Sequence, residues 1–165
     1  MNSVWQQIAA TITAEFSDLN DVTEVVTLTV RLLMAALLGG ILGFEREHRG
    51  KAAGVKTHML VAVGSALFVL IPQQAGLSEA ELSRVVQGII AGIGFLGAGA
   101  ILKKGSDEKD LKGLTTAAGI WLTAAIGVAA GLGRESSAIL CTLLALAILL
   151  VVPKIDRFFE WKNKS

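Results

Sequence analysis

Ionisable side chains are scarce in this chain of 165 residues and stand at a few places. Glu45-Arg46-Glu47-His48-Arg49 closes a long apolar run, and His58 follows after a short polar stretch. Glu45-x-x-His48 has the ligand spacing of carboxylate-bridged metal sites, which also need a second such motif and further inward carboxylates. Neither is present, so hydrogen-bonded rather than metallated histidines are expected. Gly92-x-Gly94-x-x-Gly97 has the form of a dinucleotide fingerprint, but no strand precedes it and position 117 is Ala where an acid is needed. No Ser-His-Asp order, CxxC pair or phosphate loop occurs. The expectation is a protein that is not an enzyme and holds no cofactor or metal.

What remains is charge in apolar surroundings. Arg31 lies inside an apolar run, where a guanidinium either snorkels to the interface or finds an anion. Glu81 is the expected partner, Glu24 the second, and Gln87 could satisfy remaining donors. Glu45 and Glu47 sit at the negative end of a helix and need cations, which Arg49 or Lys56 could supply. Glu45 and Arg46 then either fix the first hairpin, bind a partner, or serve as a solvated anchor. Thr115 and Thr116, after Gly113 and the acids Asp107, Glu108 and Asp110, look like a capped helix start.

These residues need elements to hold them, and composition says which. The chain is 53% hydrophobic and 18% charged, with its apolar residues in long blocks. The reading is all-α: a polytopic membrane bundle of five transmembrane helices with an N-terminal amphipathic helix. Residues 1–20 space Trp5, Ile8, Ile12, Phe16 and Leu19 by three or four, too polar to span and suited to a membrane surface. The spans are expected near 24–44, 58–75, 85–102, 114–132 and 136–153, so that the membrane domain covers 24–153. Residues 154–165 form an interfacial tail with Phe158 and Phe159 beside Lys154, Arg157 and Lys162. No cleavable signal peptide is expected, because no Lys or Arg precedes Arg31. Cys141 is the single cysteine and a small hydrophobe in an apolar run.

Four Lys or Arg stand in each of three segments, 45–58, 103–112 and 154–165, leaving Arg31, Arg84 and Arg134 elsewhere. Five crossings put those segments on one side, which the positive-inside rule makes cytoplasmic, with the N-terminus outside. A net charge of +1 gives no reason to expect nucleic acid. Gly39-x-x-x-Gly43, Gly88-x-x-x-Gly92 and Gly127-x-x-x-Gly131, with Gly94, Gly97 and Gly99, predict close helix crossings within a subunit or in a homodimer. Gly92 and Gly97 in particular are expected in tight contacts.

Two blocks carry a family resemblance. One runs from Arg31-Leu-Leu through Gly39-Gly-Ile-Leu-Gly-Phe-Glu45-Arg46 to Ala53-Gly54-Val-Lys56-Thr57-His58 and Gly64. The other is Gly92-Ile-Gly-Phe-Leu-Gly-Ala-Gly99, then Lys112-Gly-Leu-Thr115-Thr116-Ala-Ala, Trp121 and Gly127. Together they resemble the MgtC/SapB family of bacterial inner-membrane proteins. Lys56 stands where Arg is usual, Glu81 where an Asp-Pro pair often precedes the residue here at Arg84, and Gln87 is one place off the usual glutamine. The chain ends soon after the fifth span, where longer members add a soluble C-terminal domain. The resemblance implies a non-enzymatic protein tied to low magnesium, acid tolerance or survival inside host cells. Its partners would be membrane lipid, a second copy, and membrane proteins such as the ATP synthase or a small regulatory peptide. The candidate intramembrane polar or partner site comprises Arg31, Glu45, Arg46, Thr57, His58, Glu81, Arg84, Gln87, Thr115 and Thr116. Older naming of the family as magnesium transporters supplies the alternative, an ion or small-solute transporter.

Overall fold

The structure, a computed structural model, describes residues 3–15, 21–102 and 113–163, with side chains omitted at 156–158 and 160–163. The hairpin 103–112, with its lysines and acids, lies outside the described residues, as do Phe16 and Leu19. Within them the chain is helical: α1 (Val4–Glu15), α2 (Val22–His48), α3 (Val55–Gln74), α4 (Glu79–Leu102), α5 (Leu114–Gly131) and α6 (Glu135–Asn163). Five of these, α2 to α6, are long and apolar enough to cross a membrane. The shortest span, α5 with 18 residues, is about 27 Å long, close to the ~30 Å of bilayer hydrocarbon.

Residues 1–30 and 31–165 form separate compact units. In the first, α1 opens on a capping box: Ser3 N–H donates to Gln6 Oε1, and Gln6 N–H donates to Ser3 Oγ. In the second, glycine ends three helices. Gly50 (φ 63°) and Gly133 (φ 73°) take the left-handed conformation after α2 and α5. Each closes paired bonds back into its helix, Gly50 to Glu47 and Lys51 to Arg46, Gly133 to Ala130 and Arg134 to Ala129. Gly76 repeats the device after α3. Such turns satisfy helix-end carbonyls without a partner from outside.

The α4 helix begins at Glu79, six residues before the expected start of its span, and the cause is local. Ser78 and Glu81 form a capping box: Ser78 N–H and Oγ–H donate to Glu81 Oε2, and Glu81 N–H donates to Ser78 Oγ. The last helix continues through Pro153 rather than stopping there.

The bundle core of the second unit is built from small residues. Ala35, Ala62, Ala66, Ile126, Ala130 and Ala138 are fully buried at the junction of α2, α3, α5 and α6. Helix α5 touches α3, α4 and α6, and 44% of its span is buried, against 6% of α4. Glycine permits these approaches. A Cβ on Gly39 would stand 2.7 Å from the His58 carbonyl oxygen, and one on Gly43 would stand 2.6 Å from Val55 Cα. Cβ atoms on Gly127 and Gly131 would strike the Ala62 and Ala66 carbonyls. In lipid, where apolar burial drives helices together weakly, such backbone proximity supplies the packing energy.

Within the chain the α4 glycines make no such approach. Gly88, Gly92, Gly94 and Gly99 have open space where a Cβ would be, and Gly97 meets only Ala117 Cβ at 3.6 Å, an ordinary contact. Gly92 and Gly97 therefore make no tight crossing within the chain. The α4 helix meets its neighbours through Ile93 and Ala100, near Ile120 and Ala124 of α5, which leaves Gly88 and Gly92 along an apolar groove beside α3.

Candidate functional site

Two polar assemblies lie at opposite ends of the second unit. At the end where α5 meets α6, Arg31 Nη1 donates to Gln73 Oε1 and to the Gly131 carbonyl, both at 2.9 Å. Its Nε is 4.0 Å from Glu135 Oε1. The Gly131 carbonyl belongs to the last turn of α5, whose oxygens lack intrahelical donors and carry the negative end of the helix dipole. Gly133 makes room for the guanidinium, since a Cβ there would stand 2.5 Å from Arg31 Nη2.

This corrects the expected pairing with Glu81. That carboxylate is engaged by Ser78 at the start of its own helix, while Arg84 and Gln87 are exposed along α4. Gln73 and Glu135 are the residues that sequence reasoning missed. Each stands at a helix end, where sequence distance says nothing about which other helix end is adjacent.

The second assembly joins the end of α2 to the start of α3. Glu45 and Arg46 are buried, 8% and 4% exposed, and Arg46 Nε and Nη2 both meet Glu45 Oε2. Arg49, one turn on, places its Nε 3.4 Å from Glu45 Oε1. Glu47 crosses the loop to accept the Val55 N–H at 2.9 Å, at the positive end of α3. Its partner is thus a helix N-terminus rather than the cation expected from sequence. His48 is exposed and stacks on Phe44, while Lys56 and Thr57 are exposed. The described residues contain no group of three metal-ligating side chains.

His58 is the buried centre of this end, 1% exposed. Its Nδ1 is 3.0 Å from the Gly54 carbonyl. A carbonyl can only accept, so Nδ1 carries a proton, and in the singly protonated ring Nε2 presents a lone pair. Nε2 has no hydrogen-bond partner. It is turned toward Gly119, where a Cβ would stand 3.6 Å away. Both residues line a cavity of about 230 Å³ among α2, α3, α5 and α6, together with Leu42, Arg46, Thr115 and Ile148. Thr115 thus stands at the cavity wall rather than capping α5, whose N-cap is Gly113 with no side-chain bond. Thr116 is buried in the first turn of α5.

The structure therefore gathers Glu45, Arg46, His58 and Thr115 at one site. It holds Arg31 at the other end and leaves Thr57, Glu81, Arg84 and Gln87 outside both. Between the ends, the buried hydroxyls of Thr123 and Thr142 donate within their own helices, to the Gly119 and Ala138 carbonyls.

Comparison with known proteins adds a family. The profile described as the MgtC family matches residues 32–158. SrpB of Synechococcus elongatus is 43% identical over 84% of this chain and 81% of its own length. YhiD of Escherichia coli is 38% identical over 82% of this chain and 64% of its own. MgtC of Brucella abortus is 41% identical over 78% of this chain and 52% of its own. The chain thus spans about half to two thirds of the latter two. No solved structure matches it.

Proposed function

Because the chain belongs to the MgtC family, we propose that it is a non-enzymatic regulatory protein of the bacterial inner membrane. It acts through helix–helix contacts with other membrane proteins and with a second copy of itself. By family resemblance its setting is adaptation to low magnesium or acid and survival inside host cells. The observation that carries the reading is the state of α4. A span of which 6% is buried, with Gly88, Gly92, Gly94 and Gly99 open to its surroundings, offers a face that another backbone can approach closely. The N-terminus lies outside and residues 45–57 face the cytoplasm, on the positive-inside argument.

The rival reading is an ion or small-solute transporter, and the name of the Escherichia coli relative proposes magnesium transport for that protein. A transporter of that kind would use glycine-rich spans that break and expose backbone carbonyls. Helices α4 and α5 run unbroken, which favours the regulator. Liposomes holding the full chain are expected to show no saturable Mg²⁺ or proton flux above empty vesicles, while photocrosslinkers on α4 capture protein in native membranes. Saturable flux would overturn the regulator in favour of the transporter.

A further inference from the structure

Among the described residues, two buried side-chain atoms lack a hydrogen-bond partner: Glu45 Oε1 and His58 Nε2. The first has the Arg49 guanidinium beside it. The second has no counterpart and faces the cavity against Gly119. A buried acceptor left unmet costs about 1–3 kcal/mol, so something entering the cavity is expected to meet it.

The walls define what that is. Leu42, Leu122, Ile148 and Leu149 make most of the lining apolar, and polar groups sit only where Arg46, His58 and Thr115 approach. A water has a share of about 30 Å³ in the liquid and needs two to four polar partners. A cavity of about 230 Å³ is therefore too large and too apolar to be satisfied by one ordered water. An amine would be repelled by Arg46. A phosphate dianion would find too little charge, because Arg46 already has Nε and Nη2 turned to Glu45. An alcohol could serve His58 but would bring no negative charge to a cluster in which Arg46 and Arg49 stand against the single carboxylate of Glu45. A carboxyl group serves both: one oxygen shares a proton with Nε2 and the other accepts from the guanidinium.

We propose that this cavity is a binding site for a small apolar carboxylic acid, its carboxyl group between His58 and Arg46 and its chain among Leu42, Leu122 and Ile148. The site stands apart from the regulatory reading, since neither flux nor crosslinking on α4 bears on it. Occupancy would tie the start of α3 to α2, α5 and α6, so a bound acid would act on the bundle at that junction.

The test is photolabelling of the full chain, reconstituted in phosphatidylcholine nanodiscs, with a diazirine-bearing octanoic acid. Label is expected on residues 115–122 and 145–149. Excess octanoic acid should displace it, and octanol and octylamine should not. His58→Phe, which keeps a ring but removes the acceptor, should weaken labelling at least about tenfold, as loss of a hydrogen bond to a charged group does. Gly119→Leu should abolish it by filling the space beside Nε2, and Gln74→Ala, at the other end of α3, should change nothing. The competition arms use the unaltered protein and do not depend on how any variant folds. Equal displacement by octanol, which would mean only that an apolar chain fills the cavity, overturns the proposal. Label spread over lipid-facing residues or unchanged labelling of His58→Phe also overturns it.

Discussion

Arg31 and the Glu45–Arg46 pair are both arginines beside carboxylates, but exposure makes them different in energy. The Arg31 side chain is 21% exposed and its Glu135 contact, at 4.0 Å, involves a carboxylate 36% exposed. A pair of that kind contributes roughly 0–1 kcal/mol, and the two hydrogen bonds to Gln73 and Gly131 matter more. Glu45 and Arg46 are buried, and for them the danger is the unpaired charge. Arg46→Ala alone should destabilise the bundle by about 3 kcal/mol, because the buried Glu45 is left with only the more exposed Arg49. The double change Glu45→Ala, Arg46→Ala should cost less than Arg46→Ala alone. Unfolding of the full chain in mixed micelles checks this cycle, and additive losses would show that the two residues stand independently.

At the scale of the helix, glycine has two distinct uses in this chain. Gly39, Gly43, Gly127 and Gly131 stand against the backbone of α3, where an added methyl has no room. Gly127→Ala should therefore overpack the α3–α5 crossing and cost about 1–3 kcal/mol. Gly92→Ala meets open space within the chain, so folding of the single subunit should be unchanged or slightly improved by better helix propensity. If α4 is the contact face, Gly92→Ala should instead reduce assembly. Detergent melts read the first effect and crosslinked dimer yield the second. Equal melting losses at Gly92 and Gly127 would contradict the structural difference between the two helices.

For the molecule as a whole, the proposed orientation rests on charge. Residues 45–57 and the α3–α4 turn lie at opposite ends of α3. Single cysteines at Lys51 and Gln74, both exposed, on a Cys141→Ala background should label from opposite faces of the membrane, Lys51→Cys from the cytoplasm. Labelling of both from one face would end the five-span arrangement. On the proposed orientation, five crossings would add the lysines of 103–112 and 154–165 to the side of Lys51.

Much of this was legible in the chain itself, because a bilayer imposes length and apolarity on anything that crosses it. Five spans, their approximate bounds and the N-terminal amphipathic helix follow from runs of about 20 apolar residues and from where the charges stop. That Glu45 needs cationic partners was legible too, since a carboxylate at the negative end of a helix must find them. Which partners the charged side chains find was not. Arg31 turned to Gln73, Gly131 and Glu135 because three helix ends converge there, and Glu81 was taken by a capping box that its own neighbour Ser78 supplies. The glycine stripes of α4 and α5 read alike as sequence, yet one is buried in the bundle and the other open. Periodicity places residues on a face, but only the packing of all the helices together decides what that face meets.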